Sequence, residues 1–150
     1  MSRVSPVAQD LRQTIDAALP KLRAISDAAA AEPRAPGKWS RKQIIGHLID
    51  SASNNHQRFV RAQQGSSFSF PPYEQNHWVA SQHYNDRAWS DLVSMWHAYN
   101  AHLSHVIGHI ADAHLAVPCV IESSNPVTLE FLVTDYVVHL RHHLAQVGVV

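Results

Sequence analysis

The sequence predicts an all-α fold: a four-helix bundle of up-down-down-up order, with a long crossover between its second and third helices. Three observations carry this. Apolar residues recur at three- and four-residue steps along four stretches, side chains able to cap a helix precede three of them, and the alternation of a half-buried strand is missing throughout. A chain of 150 residues is the size of one domain and can bury one sizeable core, so residues 1–150 are read as a single domain.

The first helix is expected from about Val4 to Ala31. Val4, Leu11, Ile15, Ala18, Leu22 and Ile25 mark its buried side, and Pro20 should kink or break it by removing a backbone hydrogen bond. The run Glu32-Pro33-Arg34-Ala35-Pro36-Gly37 reads as a stop and a loop. Ser40 then caps the second helix, Gln43 closes a capping box, and Trp39 faces Ile44 as a hydrophobic staple. Ile45, Leu48, Ile49, Ala52 and Phe59 form its core side, out to about Gln64. At the edge of that face runs a polar row: His47, Asp50 or Ser51, Asn54 and Arg58.

From Gly65 to Ala88 no periodicity persists, and Tyr73–Trp78 reads at most as a short helix. That is long for a hairpin between neighbouring helices, so it is read as a crossover or lid whose Phe68, Phe70, Tyr73 and Trp78 pack over one end of the bundle. Such a connection lets the second and third helices run parallel, which sets the up-down-down-up order. Ser90 is expected to cap the third helix, with Leu92, Trp96, Tyr99, Leu103, Val106 and Ile110 on its face and an end near His114. Leu115 to Val127 reads as a loop. Thr128 caps the fourth helix, and Glu130 in its first turn suits the helix dipole.

Composition narrows the function classes. Lys and Arg together number 12, as do Asp and Glu, so no net charge draws the chain to nucleic acid or to an anionic membrane, and no apolar run is long enough to span a bilayer. The start, Met1 to Pro6, lacks the apolar stretch of a secretory signal, and the one cysteine, Cys119, can form no intrachain disulfide; a cytoplasmic protein is expected. Cys119 lies in a proline-flanked loop with no histidine placed beside it by spacing, and reads as a bystander.

The 12 histidines are the unusual feature. Most read as surface or partly buried polar residues, but His139 and His143 share the seam of the fourth helix with Leu129, Leu132, Tyr136 and Gln146. Residues four apart on a helix lie one above the other, so both rings can address one point. His47, heading the polar row of the second helix, is the best third candidate, and bundles build metal sites from facing helices in this way. Two readings stand at this level. Either the rings hold a metal, or they are buried histidines satisfied by Tyr99, Asn100, Asp135 or backbone carbonyls, since an unpaired buried polar group costs about 1–3 kcal/mol.

Gly37-Lys38-Trp39-Ser40 leading into Ile45-Gly46-His47-Leu48-Ile49-Asp50-Ser51-Ala52, then Asn54 and Arg58, and the closing Tyr136–Gln146 segment resemble the DinB/YfiT-like superfamily over nearly the whole chain. The resemblance implies an up-down-down-up bundle holding a divalent metal, zinc or nickel, on His47, His139 and His143. His142 points elsewhere and is not carried over. Relatives of this kind include thiol-dependent S-transferases and proteins described as metal-dependent hydrolases, commonly as dimers. The expectation is therefore a metal-dependent enzyme for a small molecule, by thiol S-transfer or hydrolysis, with a low-molecular-weight thiol as a candidate partner and a homodimer as the candidate assembly. A metal with an open position serves either reaction, by acidifying a water or by holding a thiol as thiolate. Asp50, Asn54 and Asp135 are candidates for proton transfer or for orienting the rings, and Arg58 for an anionic substrate group. The rival expectation is a non-catalytic metal-binding or structural bundle.

Overall fold

The computed structural model describes residues 1–150. Four long helices dominate it: α1 (Ser5–Arg23), α3 (Arg41–Ala62), α5 (Trp89–Gly108) and α6 (Leu129–Val147). Two short ones, α2 (Asp27–Ala31) and α4 (Gln75–Ser81), join them. The apolar faces meet in a single cluster of buried side chains, among them Leu11, Ile15, Ile45, Leu48, Phe59, Trp96, Leu103, Leu140 and Leu144. Burial of each of the larger ones stabilises the fold by about 1.5–3 kcal/mol relative to exposure.

Two cross-helix pairings set how the long helices lie. Along α1 and α5, Asp16 meets His97 and the Ala8 carbonyl meets the Ser104 hydroxyl. Along α3 and α6, Arg41 donates to the Val147 carbonyl and Phe59 packs edge-on against Tyr136. Trp89 at the head of α5 donates its indole N–H to the Leu22 carbonyl at the foot of α1.

Several expectations are corrected. The fold is mostly helical but not wholly so. Three short strands, β1 (Phe68–Phe70), β2 (Pro118–Ile121) and β3 (Val127–Thr128), form a small sheet in the order β1-β2-β3, with β1 parallel to β2 and β2 antiparallel to β3. Leu115–Val127 is therefore not simply a loop. The first expected helix is two: α1 runs on through Pro20 to Arg23, and α2 restarts with Ser26 accepting from the Ala29 N–H. Helix α5 starts before Ser90 and stops at Gly108, short of His114. Its first free N–H groups include that of Trp89, which donates to Asp27 of α2 at 2.8 Å, so the cap arrives from a distant segment.

The other start signals are present as the sequence has them. Ser40 Oγ accepts from the Gln43 N–H while Gln43 Oε1 accepts from the Ser40 N–H, and Thr128 Oγ1 accepts from Phe131. Ser40 sits about two turns before His47, and Thr128 about three turns before His139, so both helices that carry the site have a capped start.

Candidate metal centre

His47 is fully buried, at 1% exposure, and not at the border of the core face as the periodicity suggested. Trp39 lies against its ring, with centroids 5.0 Å apart. On the neighbouring residue, a side chain at Gly46 would collide with the ring of Tyr84, so glycine there lets the crossover close directly onto α3.

His139 and His143 stand at the edge of the buried face of α6, half-buried, beside the fully buried Leu140 and Leu144. The three rings converge. His139 Nε2 lies 3.3 Å from His47 Nε2 and 3.1 Å from His143 Nε2, and all three ligand atoms fall within 4.8 Å of one another. The nitrogens of a tetrahedral zinc site, at metal distances of about 2.0–2.1 Å, stand roughly 3.3 Å apart. None of Tyr99, Asn100 or Asp135 bonds to these rings: Asn100 accepts from Tyr136, and Tyr99 meets His56.

Hydrogen bonding alone serves this arrangement poorly. A neutral imidazole nitrogen either donates or accepts, and the His139 Nε2 faces two others at once, so one proton or one lone pair must serve two contacts. Gln146 resolves the tautomer at one corner. Its Oε1 lies 2.8 Å from His143 Nδ1, which places the proton on Nδ1 and leaves the Nε2 lone pair for a metal. The His47 Nδ1 is buried with no partner. Three converging lone pairs, one of them fixed by an outer hydrogen bond, fit a divalent metal.

The electrostatics agree. Burial, reinforced by the charge of the neighbouring imidazoles, lowers His47 to about 3 and His139 to about 4. Burial also lowers His143, against the hydrogen bond it donates to Gln146. All three rings are therefore neutral near pH 7, the state a ligand needs.

Two clefts reach the triad, each at a different histidine of α6. One, of about 310 Å³, is walled by His143, Gln146, Trp39, Arg34 and Lys38. The other, of about 170 Å³, is walled by His139 with Ser51, Arg58, Tyr73 and Asp135. The largest cleft, about 340 Å³, contains none of the histidines; it lies against β1 and meets the second only at Arg58.

The acids lie apart from the rings. Asp50 is buried, and its Oδ1 accepts from the Tyr84 hydroxyl at 2.6 Å and from Gln82 at 2.8 Å, while Oδ2 has no partner. Burial raises its pKa against those two hydrogen bonds. It ties the crossover to α3 and bonds to none of the three histidines. Asn54 donates to the Asp50 carbonyl and lines the largest cleft. Asp135 is exposed and shares a wall with His139. Gln146, Trp39 and Tyr84 did not stand out as site residues. Gln146 was the readable one, because it follows His143 by three on the same seam.

Comparison with known proteins agrees with the architecture. The chain matches the DinB superfamily over residues 10–147. No curated protein sequence matches it. Among solved structures it is similar to YfiT from Bacillus subtilis, described as a probable metal-dependent hydrolase with an unusual four-helix bundle topology. That likeness has a TM-score of 0.79 at 20% identity and covers 92% of this chain and 82% of that one.

Proposed function

The chain belongs to the DinB superfamily, and we propose that it is a metal-dependent enzyme acting on a small molecule, with a divalent metal, zinc or nickel, held by His47, His139 and His143. One observation carries the proposal: three Nε2 atoms converge within 4.8 Å from two facing helices. When bound, the metal supplies Lewis acidity, which polarises a carbonyl and acidifies a water or thiol beside it. The chain's own part is to keep three neutral donors in place. Trp39 and the Tyr84-covered turn of α3 shield His47 from water, Gln146 holds His143, and the two clefts give access at His143 and at His139.

Hydrolysis is supported by the fold likeness to YfiT. Thiol S-transfer is favoured by a different observation. The cleft at His143 carries Arg34 and Lys38, cations suited to an anionic low-molecular-weight thiol. Asp135, in the wall beside His139, is the acid placed to exchange a proton with a bound reactant. Asp50 holds the crossover against α3 through Tyr84 and Gln82, and Asn54 bonds only to the Asp50 carbonyl on its own helix.

The finer architecture belongs to the same proposal. One domain over 1–150, in up-down-down-up order, is supported by the antiparallel pairings of α1 with α5 and of α3 with α6, and by the Arg3–Glu130 and Asp10–Arg141 pairings, which run α6 parallel to α1. No helix is long and apolar enough to cross a membrane, and a cytoplasmic location is in keeping with that. A homodimer is supported by exposed Phe131 and Val138, seven residues apart on α6.

The test is bound metal. Tag-free protein, assayed by elemental analysis beside His143→Ala, is expected to carry metal that the variant loses; equal and negligible metal in both would leave a non-catalytic bundle. With metal present, a panel of small thiols and an electrophile, run beside ester substrates, separates transfer from hydrolysis.

A further inference from the structure

We propose that Arg58 anchors an anionic subsite that holds the carboxylate of a small organic acid beside the tri-histidine centre, an assignment that rests on that centre carrying a metal. Arg58 follows His47 by eleven residues on α3, which is close to three full turns, so both residues lie on the same flank of the helix. Its side chain is buried, at 9% exposure. A guanidinium has five N–H donors and no acceptor, yet no carboxylate lies within ion-pair distance of this one and no side chain or carbonyl accepts from it. Every other buried cation here is matched: Lys42, at 3% exposure, bonds to Asp27 and to the Arg87 carbonyl.

The unmatched donors face space. Arg58 lines the cleft of about 170 Å³ that also contains His139, and it forms the partition to the cleft of about 340 Å³ against Phe68 and Phe70. Burial lowers its pKa, but an arginine remains a cation at neutral pH. The charge around it selects a monoanion. In the cleft with His139, Arg58 is the one arginine or lysine, Arg61 lining the other cleft and not this one, and Asp135 stands in the same wall, where it would oppose a second negative charge. One planar fork beside one acid suits a carboxylate, which accepts from it through both oxygens. The hydroxyls of Ser51 and Tyr73 complete the wall.

The experiment has two arms. In metal-free protein, the Arg58 Nε–H resonance is followed by NMR during titration with propionate and, as the neutral counterpart, propionamide. A saturable shift with propionate alone is expected; no saturable shift, or the same shift with both, overturns the anchor. In cobalt(II)-loaded protein, mercaptoacids of three to six carbons are compared with the matching mercaptoalcohols through the thiolate-to-cobalt absorption. At the best length the acid is expected to bind about tenfold tighter, and Arg58→Gln is expected to erase that gain while leaving the alcohol's affinity unchanged. Equal affinities of acid and alcohol in the wild-type protein at every length overturn the placement, whether or not the variant folds. Failure to take up cobalt removes the metal centre and with it the placement beside that centre, while the propionate titration still decides the anion site.

Discussion

Two histidine-rich regions of this molecule differ in everything except residue type. On α5, His102, His105 and His109 are exposed; the His105 and His109 rings lie tilted against each other with centroids 4.3 Å apart, and His109 Nδ1 bonds to the His105 carbonyl. Nearby, His97 pairs with Asp16 and His56 with the Tyr99 hydroxyl. Each bonded nitrogen there has an ordinary partner. Between α3 and α6 the rings of His47, His139 and His143 offer their nitrogens chiefly to one another. The difference shows that neither the number of histidines nor the closeness of their rings marks a candidate metal site; burial and a common aim do.

The sharpest way to break this comparison is to remove one ring from each region. His139→Ala is expected to lower metal affinity by more than about 100-fold, since the loss of an outer hydrogen-bond partner alone costs about 10–100-fold. His105→Ala is expected to leave it unchanged. Competition with a chromophoric chelator reads both. Should the two variants lose metal alike, the contrast between the regions is void.

Stripping the metal comes next. With free metal at about 100 times its Kd, binding stabilises the native state by about 2.7 kcal/mol, which for a chain of this length is a melting shift of roughly 5–11 °C. Scanning calorimetry of wild-type protein with and without chelator should show it, and the shift should vanish in His139→Ala. Gln146→Ala is the milder probe: it frees the His143 ring to take the wrong tautomer, and a loss of about 10–100-fold in metal affinity is expected, with no change in the metal-free melt.

The metal-free protein is also expected to depend on pH. His47 and His139 are lowered to about 3 and about 4 in the fold, whereas in the unfolded chain they titrate near 6.5. Between those values the unfolded chain binds more protons, so stability is complete above about pH 6.5 and is lost as pH falls toward 4 and then 3. Asp50 acts in the opposite sense, because its raised pKa favours the protonated fold as pH drops. Urea midpoints from pH 7.5 to 4 are expected to fall, and to fall less in His47→Asn. A flat profile would mean that the rings are not buried as described.

Much of the site was legible because its signals are local. The four-residue spacing of His139 and His143 and the Ser40–Gln43 capping box each follow from neighbours on one helix. His47 was legible as a candidate, but its depth was not, since Trp39 covers its ring from outside α3 and Tyr84 closes over the adjoining Gly46. The small sheet was hidden for a related reason. Phe68–Phe70 is three residues long and pairs with a strand some fifty residues away, too short a run for alternation to show. Likewise α5 begins where Asp27 caps it, and no reading of Trp89 and Ser90 alone reveals that partner. Arg58 is the instructive middle case: its place in the polar row was visible, but its lack of any acceptor is a property of the packed molecule alone.

The most direct test of the account is anomalous diffraction at the metal edge from crystals of protein purified without an affinity tag and supplied with zinc or nickel. One peak per chain is expected, within about 2.0–2.1 Å of the Nε2 atoms of His47, His139 and His143. No peak there, or one on the exposed histidine row of α5 alone, would contradict it.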